Sequence, residues 1–121
     1  MSALSDLRVN GDRLWSTLME TAAFGGTPNG GICRLALSEE DRQARDWLLA
    51  RAKEAGWQTG VDDIGNIYIQ RNGRDPSRLP VAIGSHLDTQ PTGGKFDGVL
   101  GVLAGLEVLR TLDDKGIETE A

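Results

Sequence analysis

Apolar residues recur at helical spacing near the start of the chain. Leu14, Leu18 and Ala22 lie four residues apart, so that they fall on one face of a helix. Asn10 stands just before this stripe and is of the type that caps helix N-termini. The pattern therefore predicts an amphipathic helix over residues 10–23.

A second amphipathic helix is predicted over residues 38–55. Ser38 followed by three acidic residues is typical of a helix N-terminus. Gly56 is suited to the left-handed conformation in which many helices end. The apolar stripe of this helix has four members: Ala44, Trp47, Leu48 and Ala52.

The pattern then changes to that of strands. Ile67 and Ile69 alternate with polar residues, which predicts an antiparallel hairpin over residues 57–71 that turns at 63–65. Residues 80–86 differ, because they begin with a short and almost wholly apolar run without alternation. Such a run favours an inner strand, covered on both faces as in a parallel sheet.

A third helix is predicted from about Gly98 to Asp113. Its first turns are apolar nearly all round, so we expect it to be buried. Gly101 and Gly105 would allow it to approach a sheet closely. Helices and strands in this order predict the α/β fold class.

Composition narrows the class of protein. The 121 residues suffice for one domain, and the net charge of −5 argues against a nucleic-acid-binding protein. Cys33 is the single cysteine, which excludes an intramolecular disulfide. The N-terminus lacks the apolar core of a signal peptide, and the longest apolar run falls far short of the ~20 residues that span a bilayer. We therefore expect a soluble cytoplasmic protein that binds neither nucleic acid nor membrane.

Candidate chemistry lies just beyond the predicted strand 80–86. Ligands of open α/β sheets bind beyond the carboxyl ends of the strands, and His86 and Asp88 occupy that place. Residues two apart in an extended segment point to the same side, so the Asp88 carboxylate could orient the His86 ring. With Asp97, at the start of the last helix, they offer one nitrogen and two carboxylates. This donor set suits zinc, or less well manganese or cobalt.

Each of these residues also has an ordinary structural interpretation. A single histidine at a strand end is most often hydrogen-bonded or simply exposed. Asp97 could cap the last helix, and Asp88 could form a turn. Spacing alone leaves these alternatives open.

A longer block carries a family resemblance. Residues 84–98, followed by the apolar helix 99–108, resemble the first metal-binding block of the M20-type zinc amidohydrolases. Within them the block is similar to the branch of N-carbamoyl-L-amino-acid hydrolases, β-ureidopropionases and allantoate amidohydrolases. Three other segments fit the same branch: Arg8–Trp15, Gly31–Ser38 and Asp63–Ile67. The loop 93–98 favours this branch over the M20 peptidases.

The resemblance implies a metal-dependent hydrolase of linear C–N bonds. His86 would be a ligand of one of two Zn²⁺ ions (Mn²⁺ or Co²⁺ being alternatives), Asp97 the carboxylate that bridges them, and Asp88 the catalytic-site residue that orients His86. The expected reaction converts an N-carbamoyl-L-amino acid into the amino acid, carbon dioxide and ammonia, with β-ureidopropionate or allantoate as alternative ureido substrates.

The implied fold is a zinc-aminopeptidase-like catalytic domain, with a mixed sheet and helices on both faces. The family also implies a smaller second domain and a homodimer. The family pattern places a Glu-Glu pair shortly after this block, and two further histidines, an arginine and an asparagine for the substrate later still. No Glu-Glu pair and no histidine follow residue 108 in these 121 residues. Residues 1–121 are therefore expected to be the N-terminal portion of the catalytic domain, inactive alone. The alternative of another class is a non-catalytic chain that pairs with a full-length subunit.

Overall fold

The computed structural model describes residues 4–121 and contains three helices and one two-stranded sheet. The elements in chain order are α1 (Gly11–Thr21), α2 (Glu39–Glu54), β1 (Gln58–Val61), β2 (Ile67–Gln70) and α3 (Val99–Asp114). This is the predicted α/β class. No helix among residues 4–121 combines the length and the hydrophobicity that a membrane span requires.

Helices α1 and α2 begin at the residues that the sequence indicated. The Asn10 side chain accepts a hydrogen bond from the backbone N–H of Arg13 at 2.9 Å. In α2 the Ser38 hydroxyl accepts from the N–H of Asp41 at 3.1 Å. Gly56 follows α2 with φ of +78°, a conformation that disfavours a side chain. Both helix predictions are confirmed, with ends one or two residues shorter than expected.

The predicted hairpin is also confirmed. Strands β1 and β2 pair antiparallel, with Gln58 opposite Gln70 and Val61 opposite Ile67. Along β2, half-buried and exposed residues alternate, as the period-two pattern requires.

An aspartate organises the turn of the hairpin. Asp62 Oδ1 accepts hydrogen bonds from the N–H groups of Ile64 (3.1 Å) and Asn66 (2.8 Å). Gly65 takes up the left-handed conformation, with φ of +90°. The turn is thus fixed by local chemistry, and its position could be predicted from the sequence.

The predicted inner strand over residues 80–86 is wrong for this structure. The segment forms no strand, and none of the backbone hydrogen bonds among residues 4–121 involves it. Val81 is 90% exposed and Ile83 is 65% exposed. An apolar run becomes an inner strand only where neighbouring strands pair with it, and the described sheet consists of β1 and β2 alone. The expected mixed sheet with helices on both faces is therefore not formed by these residues.

Residues 83–86 lie along α3 instead. A Cβ placed on Gly105 would be 3.0 Å from Ile83 Cδ1, and one on Gly101 would be 2.6 Å from Ser85 Cβ. The two glycines permit the close approach that the sequence suggested, but to an extended segment rather than to a sheet.

Helix α3 differs from its prediction in two respects. Gly98, with φ of +75°, is the N-cap residue, and no side chain caps the helix, so Asp97 does not have the capping role considered above. One face of α3 is buried, whereas Leu100 on another face is 43% exposed. The helix is therefore buried on one side only, because the packing elements cover that side.

The core lies between α1, α2, α3 and Trp57, which is three residues beyond the end of α2. Its buried apolar members are Leu18, Leu48, Ala52, Trp57, Val99, Leu103 and Leu106. An ion pair between a buried glutamate and a partly exposed arginine joins α3 to α1. Glu107 of α3 accepts from Arg13 of α1 through Nε at 2.8 Å and through a terminal nitrogen at 2.7 Å.

Candidate metal site around His86

The structure brings His86 and Asp88 into contact. His86 Nδ1 lies 2.9 Å from the backbone oxygen of Asp88 and 3.3 Å from its Oδ1. Both oxygens can only accept, so Nδ1 is the nitrogen that carries hydrogen. In the neutral ring this leaves the lone pair on Nε2, which is the atom that would face a metal. The two residues are thus in contact, and the backbone oxygen of Asp88 approaches the ring more closely than its carboxylate does.

The His86 ring packs against the start of α3. A Cβ on Gly98 would collide with the ring, so that glycine is required both by its positive φ and by the imidazole beside it. Asp97 is the residue before Gly98 and is exposed. The ring nitrogen and the Asp97 carboxylate therefore belong to two segments that meet at one point of the fold.

These residues match zinc in kind but not in number. Imidazole nitrogen and carboxylate oxygen are both zinc donors, but a structural or catalytic zinc has at least three protein ligands. Among residues 4–121 no group of three or more His, Cys, Asp or Glu side chains is placed to hold a metal ion. The roles of His86 and Asp97 as ligands, and of Asp88 behind His86, remain predictions.

Arg34, which the motif reasoning did not single out, holds the loop 87–89 from behind. This arginine is fully buried. Its Nε donates to the Leu87 oxygen at 2.8 Å, and one terminal nitrogen donates to the oxygens of Thr21 (2.9 Å) and Phe24 (2.8 Å). Its backbone N–H donates to Thr89 Oγ1 at 2.8 Å. One side chain thus connects the end of α1 to the loop that carries Asp88.

The electrostatic setting of Arg34 is unusual for a buried cation. Burial lowers the pKa of its guanidinium, and the negative charges of Asp41 and Asp88 oppose that effect only in part. The second terminal nitrogen of Arg34 is buried without a hydrogen-bond partner among the described residues. The positive charge is therefore held chiefly by backbone carbonyl dipoles.

A short antiparallel contact completes the support of the loop. Ile32 and Gly93 exchange two backbone hydrogen bonds, each of 2.9 Å. The Thr89 N–H donates to the Arg34 oxygen at 2.7 Å. A Cβ on Gly31 would lie 2.6 Å from the Gly93 oxygen, so the glycine allows the two segments to touch. The candidate site therefore rests on segment 31–34 as well as on α3.

Known proteins are similar in sequence to this chain, although no family model matches it. The chain is 55% identical over 113 residues to an N-carbamoyl-L-amino-acid amidohydrolase of Rhizobium meliloti, covering 93% of this chain and 27% of the relative. It is 42% identical over 111 residues to the corresponding amidohydrolase of Geobacillus stearothermophilus, covering 92% and 27%.

Solved structures share the fold. A hydantoinase/carbamoylase-family amidase from Burkholderia vietnamiensis superimposes with a TM-score of 0.94 at 55% identity, over 95% of this chain and 28% of that one. In both sequence and fold the chain is thus similar to a segment of these amidases. The chain belongs to the hydantoinase/carbamoylase family and is similar to its N-carbamoyl-L-amino-acid amidohydrolases. It spans about 27% of the length of the curated relatives it matches.

Proposed function

We propose that this chain forms part of an enzyme that hydrolyses N-carbamoyl-L-amino acids to the free amino acid, carbon dioxide and ammonia. The observation that carries the proposal is the 55% identity, over 93% of the chain, to a protein named for this activity. The contact between His86 Nδ1 and Asp88 supports it, because the contact leaves Nε2 free to bind a metal.

In this proposal His86 and Asp97 bind metal, and Asp88 orients His86. A bound Zn²⁺, Mn²⁺ or Co²⁺ pair would polarise the ureido carbonyl and lower the pKa of a bound water toward ~7. His86 would contribute a neutral imidazole in a fixed orientation, since its Nδ1 hydrogen is held by Asp88. Asp97 would contribute a carboxylate that no helix cap engages.

We further propose that residues 1–121 do not hydrolyse the substrate by themselves. The sequence contains one histidine, and residues 4–121 bring no three potential metal ligands together. Asp88 is engaged with His86, and Glu107 is engaged with Arg13, so neither is a suitable general base. The remaining ligands and the base would come from sequence that corresponds to the rest of the relatives' length.

A chimeric protein tests the proposed activity. Residues 1–121 would replace the matching segment of the Rhizobium meliloti amidohydrolase, and ammonia release would be measured from N-carbamoyl-L-amino acids with zinc, manganese or cobalt. We expect activity in the chimera and none in residues 1–121 alone. N-carbamoyl-β-alanine and allantoate, assayed in parallel, would reveal the alternative ureido substrates.

Substitutions in the chimera test the residue roles. His86→Ala and Asp97→Ala should abolish ammonia release, and Asp88→Asn should lower it about 10–100-fold, as is usual for residues that orient a ligand. Asp63→Ala, in the exposed hairpin turn, is the matched control and should leave the rate unchanged. Full activity of His86→Ala or Asp97→Ala would refute the assigned metal ligands.

The non-catalytic alternative is favoured by one observation, the lack of a third ligand near His86 among residues 4–121. In that case the chain would pair with a full-length amidohydrolase subunit. Co-purification of the two chains, without activity from the chimera, would support this alternative over an enzymatic role.

A further inference from the structure

We propose that Arg34 is a positioning residue for the candidate metal site and that it fixes the orientation of the His86 ring through the backbone of residues 87–89. That the oriented ring serves to bind a metal rests on the proposed function. The orientation of the ring is independent of that function, because hydrogen bonds within the described residues define it.

The first step is the anchor at the end of α1. Arg34 donates to the carbonyl oxygens of Thr21, the last residue of α1, and of Phe24, three residues further on. The Thr21 oxygen also accepts from the Phe24 N–H at 3.1 Å. The guanidinium is planar, so its donors have fixed directions relative to one another. Once one nitrogen is held by α1, the direction of Nε is also determined.

The second step is the attachment of the loop on both sides of Asp88. Nε of Arg34 donates to the Leu87 oxygen at 2.8 Å, and the backbone of Arg34 exchanges hydrogen bonds with Thr89 at 2.8 and 2.7 Å. Asp88 lies between these two attachments. Neither of the two peptide planes that flank Asp88 can rotate without breaking one of these hydrogen bonds.

The third step passes through a single peptide plane. The peptide bond between Asp88 and Thr89 is planar, and in the trans form its C=O and N–H groups point in opposite directions. The Thr89 N–H points to the Arg34 oxygen at 2.7 Å, so the Asp88 C=O points away from Arg34. The atom that meets this carbonyl, at 2.9 Å, is His86 Nδ1. The backbone of residue 34 therefore sets the direction of the Asp88 carbonyl. The Arg34 guanidinium holds the Leu87 carbonyl one peptide earlier, and so keeps this segment where the Asp88 oxygen meets His86 Nδ1.

A purely stabilising role explains Arg34 less well. Its second terminal nitrogen is buried without a partner among residues 4–121, and an unpaired buried donor on a cation is unfavourable. An apolar side chain of similar length would avoid that cost but could not hold three carbonyl groups in defined directions. The observed contacts thus fit a role in geometry.

The test uses the one histidine of the chain as a probe. Long-range ¹H–¹⁵N spectra of residues 1–121, without metal or substrate and at about pH 8.5 where an ordinary histidine is neutral, report which ring nitrogen is protonated. We expect the Nδ1–H tautomer to predominate in the unsubstituted chain. Arg34→Lys, which keeps the charge but loses the planar set of donors, should lose this preference.

Arg13→Lys is the matched control, because Arg13 is a partly buried arginine that contacts α3 rather than the loop. It should leave the His86 spectrum unchanged. A folded Arg34→Lys protein with the unsubstituted His86 spectrum would overturn the proposal, and so would an equal change in Arg13→Lys.

If Arg34→Lys does not fold, hydrogen exchange in the unsubstituted chain decides. The Arg34 Nε–H and the Thr89 N–H should exchange as slowly as amides in the middle of α3, and rapid exchange of either would overturn the proposal. None of these measurements uses enzymatic activity, so failure of the proposed reaction and failure of the proposed role of Arg34 can be told apart.

Discussion

The partly buried Arg13 and the fully buried Arg34 hold two regions of the molecule in different ways. Arg13 joins α1 to α3 through the Glu107 carboxylate, and those hydrogen bonds raise the pKa of its guanidinium. Arg34 joins α1 to the candidate site through carbonyl oxygens, and burial lowers the pKa of its guanidinium. An ion pair such as Arg13–Glu107 can contribute strongly to stability. The uncharged carbonyl acceptors of Arg34 mainly fix the directions of its hydrogen bonds.

Burial separates the same two regions. The core residues of α3 are almost completely covered, whereas the His86 side chain is 52% exposed and the apolar run before it is more exposed still. Stability should therefore be concentrated in the helices, and the candidate chemistry in a segment that contributes little to it. The four predictions below test this division.

The largest effect is expected in the core. Leu103→Ala should lower the free energy of unfolding by about 2–5 kcal/mol, because it removes a buried side chain and leaves a cavity. Leu100→Ala on the exposed side of the same helix is the control, and its cost should be less than about 1 kcal/mol. Urea titrations of both variants measure these values. Equal losses would show that α3 does not have one buried and one open side.

The Arg13–Glu107 ion pair should be the next most sensitive feature. Glu107→Gln removes the buried carboxylate from Arg13 and leaves it the half-exposed Asp114 carboxylate at 2.8 Å. Loss of one partner from a buried pair typically costs ~3–5 kcal/mol. The Arg13 side chain is 29% exposed, so water can partly compensate and we expect about 3 kcal/mol. Glu39→Gln, in the exposed pair with Arg42, should have no measurable effect. Thermal unfolding that is unchanged by Glu107→Gln would contradict this prediction.

The same carboxylate should make stability depend on pH. Burial raises the pKa of Glu107, but the hydrogen bonds from Arg13 and from the Asn10 N–H outweigh it, so the pKa lies below its ordinary value. A group with a lowered folded-state pKa contributes stability that is present above the unfolded pKa of ~4.3 and is lost as the pH falls through the folded pKa. The stability difference between the unsubstituted chain and Glu107→Gln should therefore shrink as the pH is lowered below about 4.3. A difference that stays constant to lower pH would argue against a charged Glu107.

The smallest effect is expected at the candidate site. His86→Ala should change the free energy of unfolding by no more than about 0.5 kcal/mol, because the side chain is half exposed and contacts mainly Gly98 and Asp88. Chemical unfolding checks this value. A loss comparable with that of Leu103→Ala would mean that His86 is a structural residue.

The candidate site could be located from the sequence in part. His86 and Asp88 are two residues apart, so their contact depends on local geometry, here a bend at Leu87. Arg34 could not be found in this way, because its partners Leu87 and Thr89 lie 53 and 55 residues further along the chain. Nothing in the pattern of residues around Arg34 indicates what a buried arginine would bind.

The sequence by itself determined the local elements: the caps at Asn10 and Ser38, the Asp62 turn and the three helices. Each of these depends on residues within about four positions of one another, where propensity and capping act. The tertiary structure alone decided the path of residues 80–86, the side of α3 that is buried and the partners of Arg34. These depend on which distant surfaces meet. An apolar run becomes an inner strand only where other strands flank it. Neither β1 nor β2 pairs with residues 80–86, and residues 83–86 lie along the glycines of α3 instead.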